Sequence, residues 1–139
     1  MMAPATFCSW EYVVTLVRER FQEWLRDYGN AWERRDPEAA AALFSDDALY
    51  YWTPFDEPKK GKEGIATAWR EATSRQRNVR FSYDVLAVIG ETGIARWQAS
   101  LERRWTGRPV ELDGILVAEF DSEARCRVFR EWWHSTEQS

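Results

Sequence analysis

The clearest candidate for chemistry in this sequence is Glu131, in the run Phe129-Arg-Glu-Trp-Trp133 close to the end of the chain. Side chains of a β-strand point alternately to its two faces, so Phe129, Glu131 and Trp133 share one face of a predicted last strand. If that face is concave, a carboxyl group lies among aromatic rings and away from water. Burial disfavours the charged form and raises the pKa of a carboxyl group, which suits it to proton transfer near neutral pH.

The same residues allow a second arrangement, in which Glu131 lies at a strand edge and pairs with Arg103 or Arg130 at the surface. The preceding predicted strand provides Asp113 as a competing acid. Strand parity with Leu116 turns Asp113 outward, so we expect a solvated carboxylate there. The sequence leaves both arrangements of Glu131 open.

Other catalytic chemistries lack the residues that they need. The single histidine, His134, has no serine or cysteine placed by a motif to form a nucleophilic triad with it. One histidine and two cysteines, Cys8 and Cys126, provide no metal-ligand spacing and no disulfide framework. We therefore expect no metal and no cofactor, and the low cysteine content predicts a reducing, cytoplasmic location.

Charge and hydropathy limit the partners of the protein. The formal net charge is −4, with 19 basic and 23 acidic residues, so the chain lacks the cationic field that nucleic-acid binding needs. No stretch approaches the roughly 18 apolar residues of a membrane span, and residues 1–10 are too short and too weakly apolar for a signal peptide. We expect no nucleic acid, no membrane, and a flexible N-terminus over residues 1–10.

Aromatic residues are unusually frequent, with nine Trp, seven Phe and five Tyr among 139 residues. A small core needs fewer rings than this, since each ring buries about 150–250 Å². A ring-lined cavity, an aromatic interface or a heavily aromatic core would each account for the surplus.

The elements that must position these residues form an α+β domain. Pro37 ends a first helix, whose apolar positions recur every three or four residues, and Asp36 caps the next helix. The predicted order is helices over residues 11–35, 37–44 and 62–75, a short strand over 48–53 between the second and third helices, and a four-stranded antiparallel meander after Asn78. These elements predict a single domain over residues 11–134 with a tail over 135–139.

The predicted strands carry apolar residues on both faces near Ile115, Val117, Val128 and Trp132. Helices packed on one side leave the other face of the sheet uncovered, and a large exposed apolar face usually marks a partner. We expect a homodimer formed through this sheet face.

Three segments together suggest a known family. The stretch from Tyr28 to Tyr50 reads YGNAWERRDPEAAAALFSDDALY, Gly61 and Gly64-Ile65 open a later helix, and the last strand carries FREWW. Over about residues 17–134 the pattern resembles the nuclear transport factor 2-like superfamily and, more narrowly, its SnoaL-like group, which has a polyketide cyclase and ketosteroid isomerase-like fold. The resemblance implies a cone, with three N-terminal helices packed on a curved, mainly antiparallel sheet that encloses a pocket. It specifies the fold more than the function, because this fold hosts isomerases, hydrolases, cyclases and binding proteins.

Carried over position by position, the resemblance implies working residues at Tyr28, Tyr50, Trp52 and Glu131. Tyr28 would donate a hydrogen bond to a developing enolate oxygen while Glu131 transfers the proton. A ketosteroid isomerase would also need carboxyl groups where this chain has Trp52 and, nearby, Leu116. We therefore do not expect steroid isomerisation by that mechanism.

Two other enzyme groups with this fold differ in how many catalytic residues they need. Limonene-epoxide hydrolases combine a last-strand carboxylate and a tyrosine, matched here by Glu131 and Tyr50, with an Arg and an Asp. The positions near Trp97–Leu101 that should supply that Arg and Asp hold apolar or small polar side chains, and Arg103 is the nearest replacement. SnoaL-type cyclases need a single acid/base carboxyl group in an apolar pocket, which this chain provides.

The predicted function is a cofactor-free isomerase, cyclase or hydrolase that acts by acid/base chemistry on an apolar metabolite, with Glu131 and Tyr28 as catalytic residues. A non-catalytic binding protein for a hydrophobic small molecule is the alternative, because the partner groups near Trp97–Leu101 are missing. The predicted substrate contacts are Trp32, Tyr50, Trp52, Trp97, Leu101, Arg103, Leu116, Phe129 and Trp133.

Overall fold

A computed structural model describes the backbone of residues 3–137 and the side chains of residues 18–137; the predictions for Met1, Met2, the Cys8 side chain, and residues 138 and 139 lie outside the described part. Its helices are α1 (Ala3–Glu33), α2 (Pro37–Ala41) and α3 (Gly61–Thr73). Its strands are β1 (Phe44–Tyr51), β2 (Lys59–Lys60), β3 (Gln76–Ile89), β4 (Thr92–Arg103), β5 (Pro109–Phe120) and β6 (Cys126–Glu137).

Local signals in the sequence explain the junction between the first two helices. Asp36 caps α2 by accepting a hydrogen bond from the backbone N–H of Ala39 at 3.1 Å, and Pro37 occupies the first turn, as predicted. Helix α1 begins at Ala3, before the predicted start at residue 11, and β6 continues past His134. None of the described helices is both long enough and apolar enough to cross a membrane.

All of the described strands belong to one sheet, in the order β2-β1-β6-β5-β4-β3. Strands β3 to β6 form the predicted antiparallel meander, whereas β1 pairs with β6 in parallel and places Tyr50 beside Phe129. Register shifts interrupt β1 after Phe44 and β3 at two places, and such irregularities bend a strand and increase its twist. The result is a curved, mainly antiparallel sheet with helices packed on it, which confirms the predicted α+β class.

Strand β1 begins earlier than the sequence predicts. The alanine-rich pattern predicts a helix through Phe44, but Phe44 is fully buried and pairs with Cys126 of β6. The backbone N–H of Cys126 also donates to the Leu43 carbonyl at 2.9 Å. Burial and strand pairing therefore outweigh the local helical preference. The predicted loop from Pro54 to Gly61 also contains β2, a two-residue edge strand that local composition does not signal.

Helix α1 packs against β3. Its residues Phe21, Trp24, Leu25 and Tyr28 are buried at the predicted spacings of three and four residues. Gly29 permits a close approach of α1 to β3, because a Cβ atom there would lie 2.5 Å from a ring carbon of Phe81. The buried stripe of the helix thus contributes one wall of the interior.

Alternation along the meander determines which side chains face that interior. The inward residues of β4 are all buried, as predicted: Ala95, Trp97, Ala99 and Leu101. Asp113 of β5 lies on the other face, half-exposed, and forms an ion pair with Arg96 at 2.6 Å. The hydrogen bonds from Arg96 lower the pKa of Asp113. Asp113 is therefore the solvated carboxylate that strand parity predicts.

Candidate active site

A cavity of about 210 Å³ lies between the helices and the concave face of the sheet. It contains most of the site residues that the sequence predicts. The predicted residues that line it are Tyr28, Trp32, Tyr50, Trp52, Trp97, Leu101, Arg103, Glu131 and Trp133.

Glu131 is the acidic group of the cavity. It is 7% exposed, and the Tyr28 hydroxyl donates to its Oε1 atom at 3.4 Å. Burial raises the pKa of Glu131 to about 8, and the hydrogen bond from Tyr28 offsets only part of this shift. The carboxyl group is therefore mostly protonated at neutral pH.

The alternative prediction, in which Glu131 lies at a strand edge and pairs with an arginine at the surface, is wrong. Arg103, one of its two predicted partners, forms an ion pair with Glu137 at 3.0 Å. The other, Arg130, lies 4.3 Å from the centroid of the Tyr51 ring. Among the described residues, no cation forms a salt bridge with Glu131, so its carboxyl group occupies a desolvated site without a compensating charge.

Two tyrosines extend this site. The hydroxyl oxygens of Tyr28 and Tyr50 lie 2.5 Å apart, which is a short hydrogen bond. Because Tyr28 donates to Glu131, a consistent arrangement has Tyr50 donating to Tyr28. Burial is the largest cause that raises the pKa of both phenols well above 10, and the Glu131 charge adds to it. Hydrogen bonds of Tyr50 with Tyr28, Trp69 and Trp52 lower its pKa, but by less than burial raises it. Both phenols are therefore neutral hydrogen-bond donors over the physiological pH range.

Strand pairing and ring stacking position the three groups. Tyr28 stacks between Trp24 and Phe129, with centroids 5.2 and 5.5 Å away. The parallel pairing of β1 and β6 places Tyr50 opposite Phe129, and the centroids of their rings lie 4.5 Å apart. Glu131 follows Phe129 by two residues and so occupies the next inward position of the same strand.

Hydrogen bonds hold two tryptophans of the cavity wall. The Trp133 indole N–H donates to the Trp52 carbonyl at 2.9 Å, which ties the end of β6 to the segment after β1. The Trp32 indole N–H donates to the Gln76 side-chain oxygen at 2.8 Å. These bonds restrict the rotamers of two large rings and so stabilise this part of the wall.

Two predicted contact residues, Leu116 and Phe129, lie in the core instead of the lining, and both are fully buried. Phe129 packs against Phe44 and Tyr50, behind the tyrosine pair. Leu116 lies opposite Glu131 in the pairing of β5 with β6. Alternation predicts correctly that both point inward. It does not predict their depth, which depends on how far α1 extends over the sheet.

The cavity also includes residues that the sequence analysis missed: Trp69, Ala72, Thr73, Gln76, Val110, Leu112 and Ser135. A signal for most of them exists. Trp69, Ala72 and Thr73 lie on one helical stripe of α3, at spacings of three and four residues, whereas Gln76 is the first residue of β3. Ser135 continues the alternation of Glu131 along β6.

The family comparison agrees with this geometry. Residues 25–128, most of the chain, match the family model described as a SnoaL-like domain. The chain belongs to the SnoaL-like domain family. This membership confirms the resemblance stated from the sequence.

Solved structures extend the comparison to the fold of this SnoaL-like protein. A provisionally assigned isomerase from Bacillus subtilis superposes with a TM-score of 0.75 at 21% identity, covering 85% of this chain and 88% of that one. A computationally designed 17-OHP binder gives 0.72 at 17% identity, covering 85% and 96%. The epoxide hydrolase/cyclase-like enzyme SalBIII, associated with pyran ring formation in polyether salinomycin, gives 0.71 at 14% identity, covering 86% and 92%. At these identities the likeness shows a shared NTF2-like fold.

Proposed function

We propose that this SnoaL-like protein is a cofactor-independent enzyme that acts by acid/base proton transfer on a mainly apolar small molecule. The observation that carries the proposal is the Glu131 carboxyl group, which is buried in a ring-lined cavity and hydrogen-bonded to the Tyr28 phenol. An uncompensated carboxyl group is unfavourable in such surroundings, and perturbed acids of this kind concentrate at catalytic sites.

The proposed step begins with a protonated Glu131. It donates its proton to a carbonyl, ester or epoxide oxygen of the bound molecule, and Tyr28 donates a hydrogen bond to the carboxylate that remains. In an isomerisation the carboxylate then takes a proton from a carbon next to the carbonyl, and the enol that results is reprotonated by Glu131 at another carbon as its O–H proton returns to the carboxylate. In cyclisation or hydrolysis it takes the proton of the hydroxyl group or water whose oxygen bonds to carbon as the epoxide C–O bond breaks; an ester needs one more proton transfer from Glu131 to the leaving alkoxide, with the proton returned by the tetrahedral hydroxyl group. Glu131 ends protonated as it began, so each reaction proceeds without a redox partner.

A non-catalytic pocket protein is the second candidate. The inward side chains of β4 are Trp97, Ala99 and Leu101, so this wall of the cavity supplies no second carboxylate. One of the structures with the same fold is a computationally designed 17-OHP binder, which supports a binding role as the alternative. This protein would then retain a hydrophobic molecule unchanged.

The pH dependence of turnover tests the proposal. A panel of apolar ketones, esters and epoxides identifies a substrate, and kcat/KM is then measured between pH 5 and pH 10. Because the protonated form of Glu131 is the active one and its pKa is about 8, we expect a plateau below pH 7. Above pH 8, kcat/KM should fall about tenfold per pH unit.

A rate that rises through pH 8 would contradict the assignment of Glu131 as the acid. If no panel compound is turned over while native mass spectrometry shows an unchanged retained ligand, the binding-protein function is supported instead.

We also propose that the protein forms a homodimer through the outer face of the sheet. Ile115, Val117 and Val128 are only half-buried there, and Trp132 is 46% exposed. Multi-angle light scattering at micromolar concentration should give twice the chain mass of 16.4 kDa. Val117→Glu should shift the mass toward the monomer because it places a charge in an apolar contact, whereas Ser122→Glu, in an exposed turn, should not. A monomeric wild-type protein would refute the dimer.

A further inference from the structure

Two adjacent segments, which we call the mouth turns, border the cavity at Gln76 and Arg103: residues 74–77, across the junction of α3 and β3, and residues 103–108, from the end of β4 to the start of β5. The backbone N–H of Arg104 donates to the Arg75 carbonyl at 2.9 Å, which joins the two turns. Arg103 and Gln76 belong to both the turns and the cavity lining. The charges of the mouth turns therefore act on any molecule that enters.

The mouth is positively charged, although the whole chain has a net charge of −4. Arg35 belongs to this border, since its guanidinium donates to the Gln76 carbonyl at 2.9 Å. Three of the border's arginines have carboxylate partners: Arg75 with Glu71, Arg77 with Glu102, and Arg103 with Glu137. Among the described residues, Arg35, Arg104 and Arg108 form no salt bridge. The border thus carries three positive charges in excess.

Arg104 is the best placed of these uncompensated cations. Its guanidinium donates to the Ser74 carbonyl at 3.4 Å and lies 5.3 Å from the centroid of the exposed Trp105 ring. Both contacts hold the charge at the turn instead of letting the side chain extend into solvent. A held cation beside an apolar opening attracts an anion from solution.

We propose that the molecule taken by this cavity has an anionic end, a carboxylate or a phosphate, that stays at the mouth beside Arg104 and Arg108 while its apolar body enters. The ring-lined interior cannot solvate a charge, so burying an anion there without a compensating cation would be strongly unfavourable. In the described structure, the positive charge that could stabilise such an anion lies at the mouth turns. This inference rests on the proposed function, because it names the class of molecule that the same site binds.

Isothermal titration calorimetry with matched probes tests the inference. Naphthylbutanoate carries the anion, naphthylbutanamide is its neutral isostere, and naphthylpropyl phosphate replaces the carboxylate by a phosphate. We expect the wild-type protein to bind an anionic probe about three- to tenfold more tightly than the amide at low salt, with the preference shrinking at high salt. The tighter of the two anions identifies the end group.

Two variants assign the effect to the mouth turns. The double variant Arg104→Gln, Arg108→Gln should lose most of the preference for the anionic probe and keep its affinity for the amide. The control Arg26→Gln, Arg70→Gln removes two exposed arginines of helices α1 and α3, outside the mouth turns and the outer sheet face, and should leave both affinities unchanged.

Equal affinities of the wild-type protein for the acid, the phosphate and the amide would overturn the inference, as would a preference that survives in the double variant. Neither result touches the proposed function, which is tested separately by the pH profile and by Glu131 variants. Failure of every probe to bind would contradict the open cavity on which both proposals rest.

Discussion

Replacing Glu131 by Gln is expected to reduce kcat/KM by about 100- to 10,000-fold, the range typical of a lost general acid. The amide has nearly the same shape and can still accept the hydrogen bond from Tyr28, but it cannot donate a proton that it later recovers. The binding of unreactive ligands should change little, because the volume of the cavity is preserved. Steady-state kinetics on the substrate found in the panel measures the loss.

The same variant should be more stable than the wild-type protein at alkaline pH. The pKa of Glu131 is about 8 in the folded state against 4.5 for an unperturbed glutamate, so the folded state binds more protons than the unfolded state between these values. Wild-type stability therefore falls as the pH rises through this window. The glutamine side chain does not titrate, so the variant does not lose this stability. Its free energy of unfolding should exceed that of the wild type by a few kcal/mol above pH 8 and equal it below pH 4.

Glu38→Gln is a matched control on helix α2. Its exposed carboxylate is ion-paired with Arg70 outside the cavity lining, so its loss should leave both turnover and the pH dependence of stability nearly unchanged. A Glu131→Gln protein that keeps full turnover would refute the proposed function. A variant that loses activity because it has unfolded is recognised by its urea denaturation curve, which should instead show the gain in stability.

Phe129→Ala is expected to lower the free energy of unfolding by about 3–5 kcal/mol, a large effect for a single substitution. The Phe129 ring is fully buried and contacts four aromatic rings, with centroid distances between 4.5 and 6.0 Å. Those four neighbours are Trp24, Tyr28, Phe44 and Tyr50. The substitution would leave a cavity among rings that cannot collapse onto a methyl group.

Urea unfolding followed by tryptophan fluorescence measures this change. Phe129→Leu, which keeps most of the volume, should lose less stability, and Phe55→Ala should lose almost none because Phe55 is 99% exposed. The tyrosine pair rests against Phe129, so the alanine variant should also lose turnover under conditions where it is still folded. A loss of turnover without a loss of stability would instead indicate that Phe129 contacts the substrate.

The sequence by itself determined which way most side chains point. Period-two alternation on β4 places Trp97 on the inner face, and the three- and four-residue stripe of α1 buries Trp24 and Tyr28. These are local properties, because the direction of a side chain depends on the backbone of its own element. On β6 alternation shows only that Phe129, Glu131 and Trp133 share a face, and the family resemblance assigned that face to the interior. The three segments that carry the resemblance together predicted the SnoaL-like family.

Only the tertiary structure decided which of the inward residues meet and which line empty space. The Tyr28–Tyr50 hydrogen bond depends on the parallel pairing of β1 with β6, which no local pattern signals. The same pairing turns Phe44 from a predicted helical residue into the first residue of a strand. Distances between elements far apart in the chain result from strand register and sheet curvature, and these follow from the packing of all the elements together.

The difference between what the sequence determines and what the tertiary structure determines is clearest along β6. There, Phe129, Glu131 and Trp133 share one face but lie in three environments. Phe129 is core, Glu131 is a buried acid at the cavity, and Trp133 is partly exposed at its wall. Alternation specifies that the three residues share a face. Their depth, and with it the raised pKa of Glu131, depends on where helix α1 and the tryptophan wall exclude water, which is a property of the assembled fold.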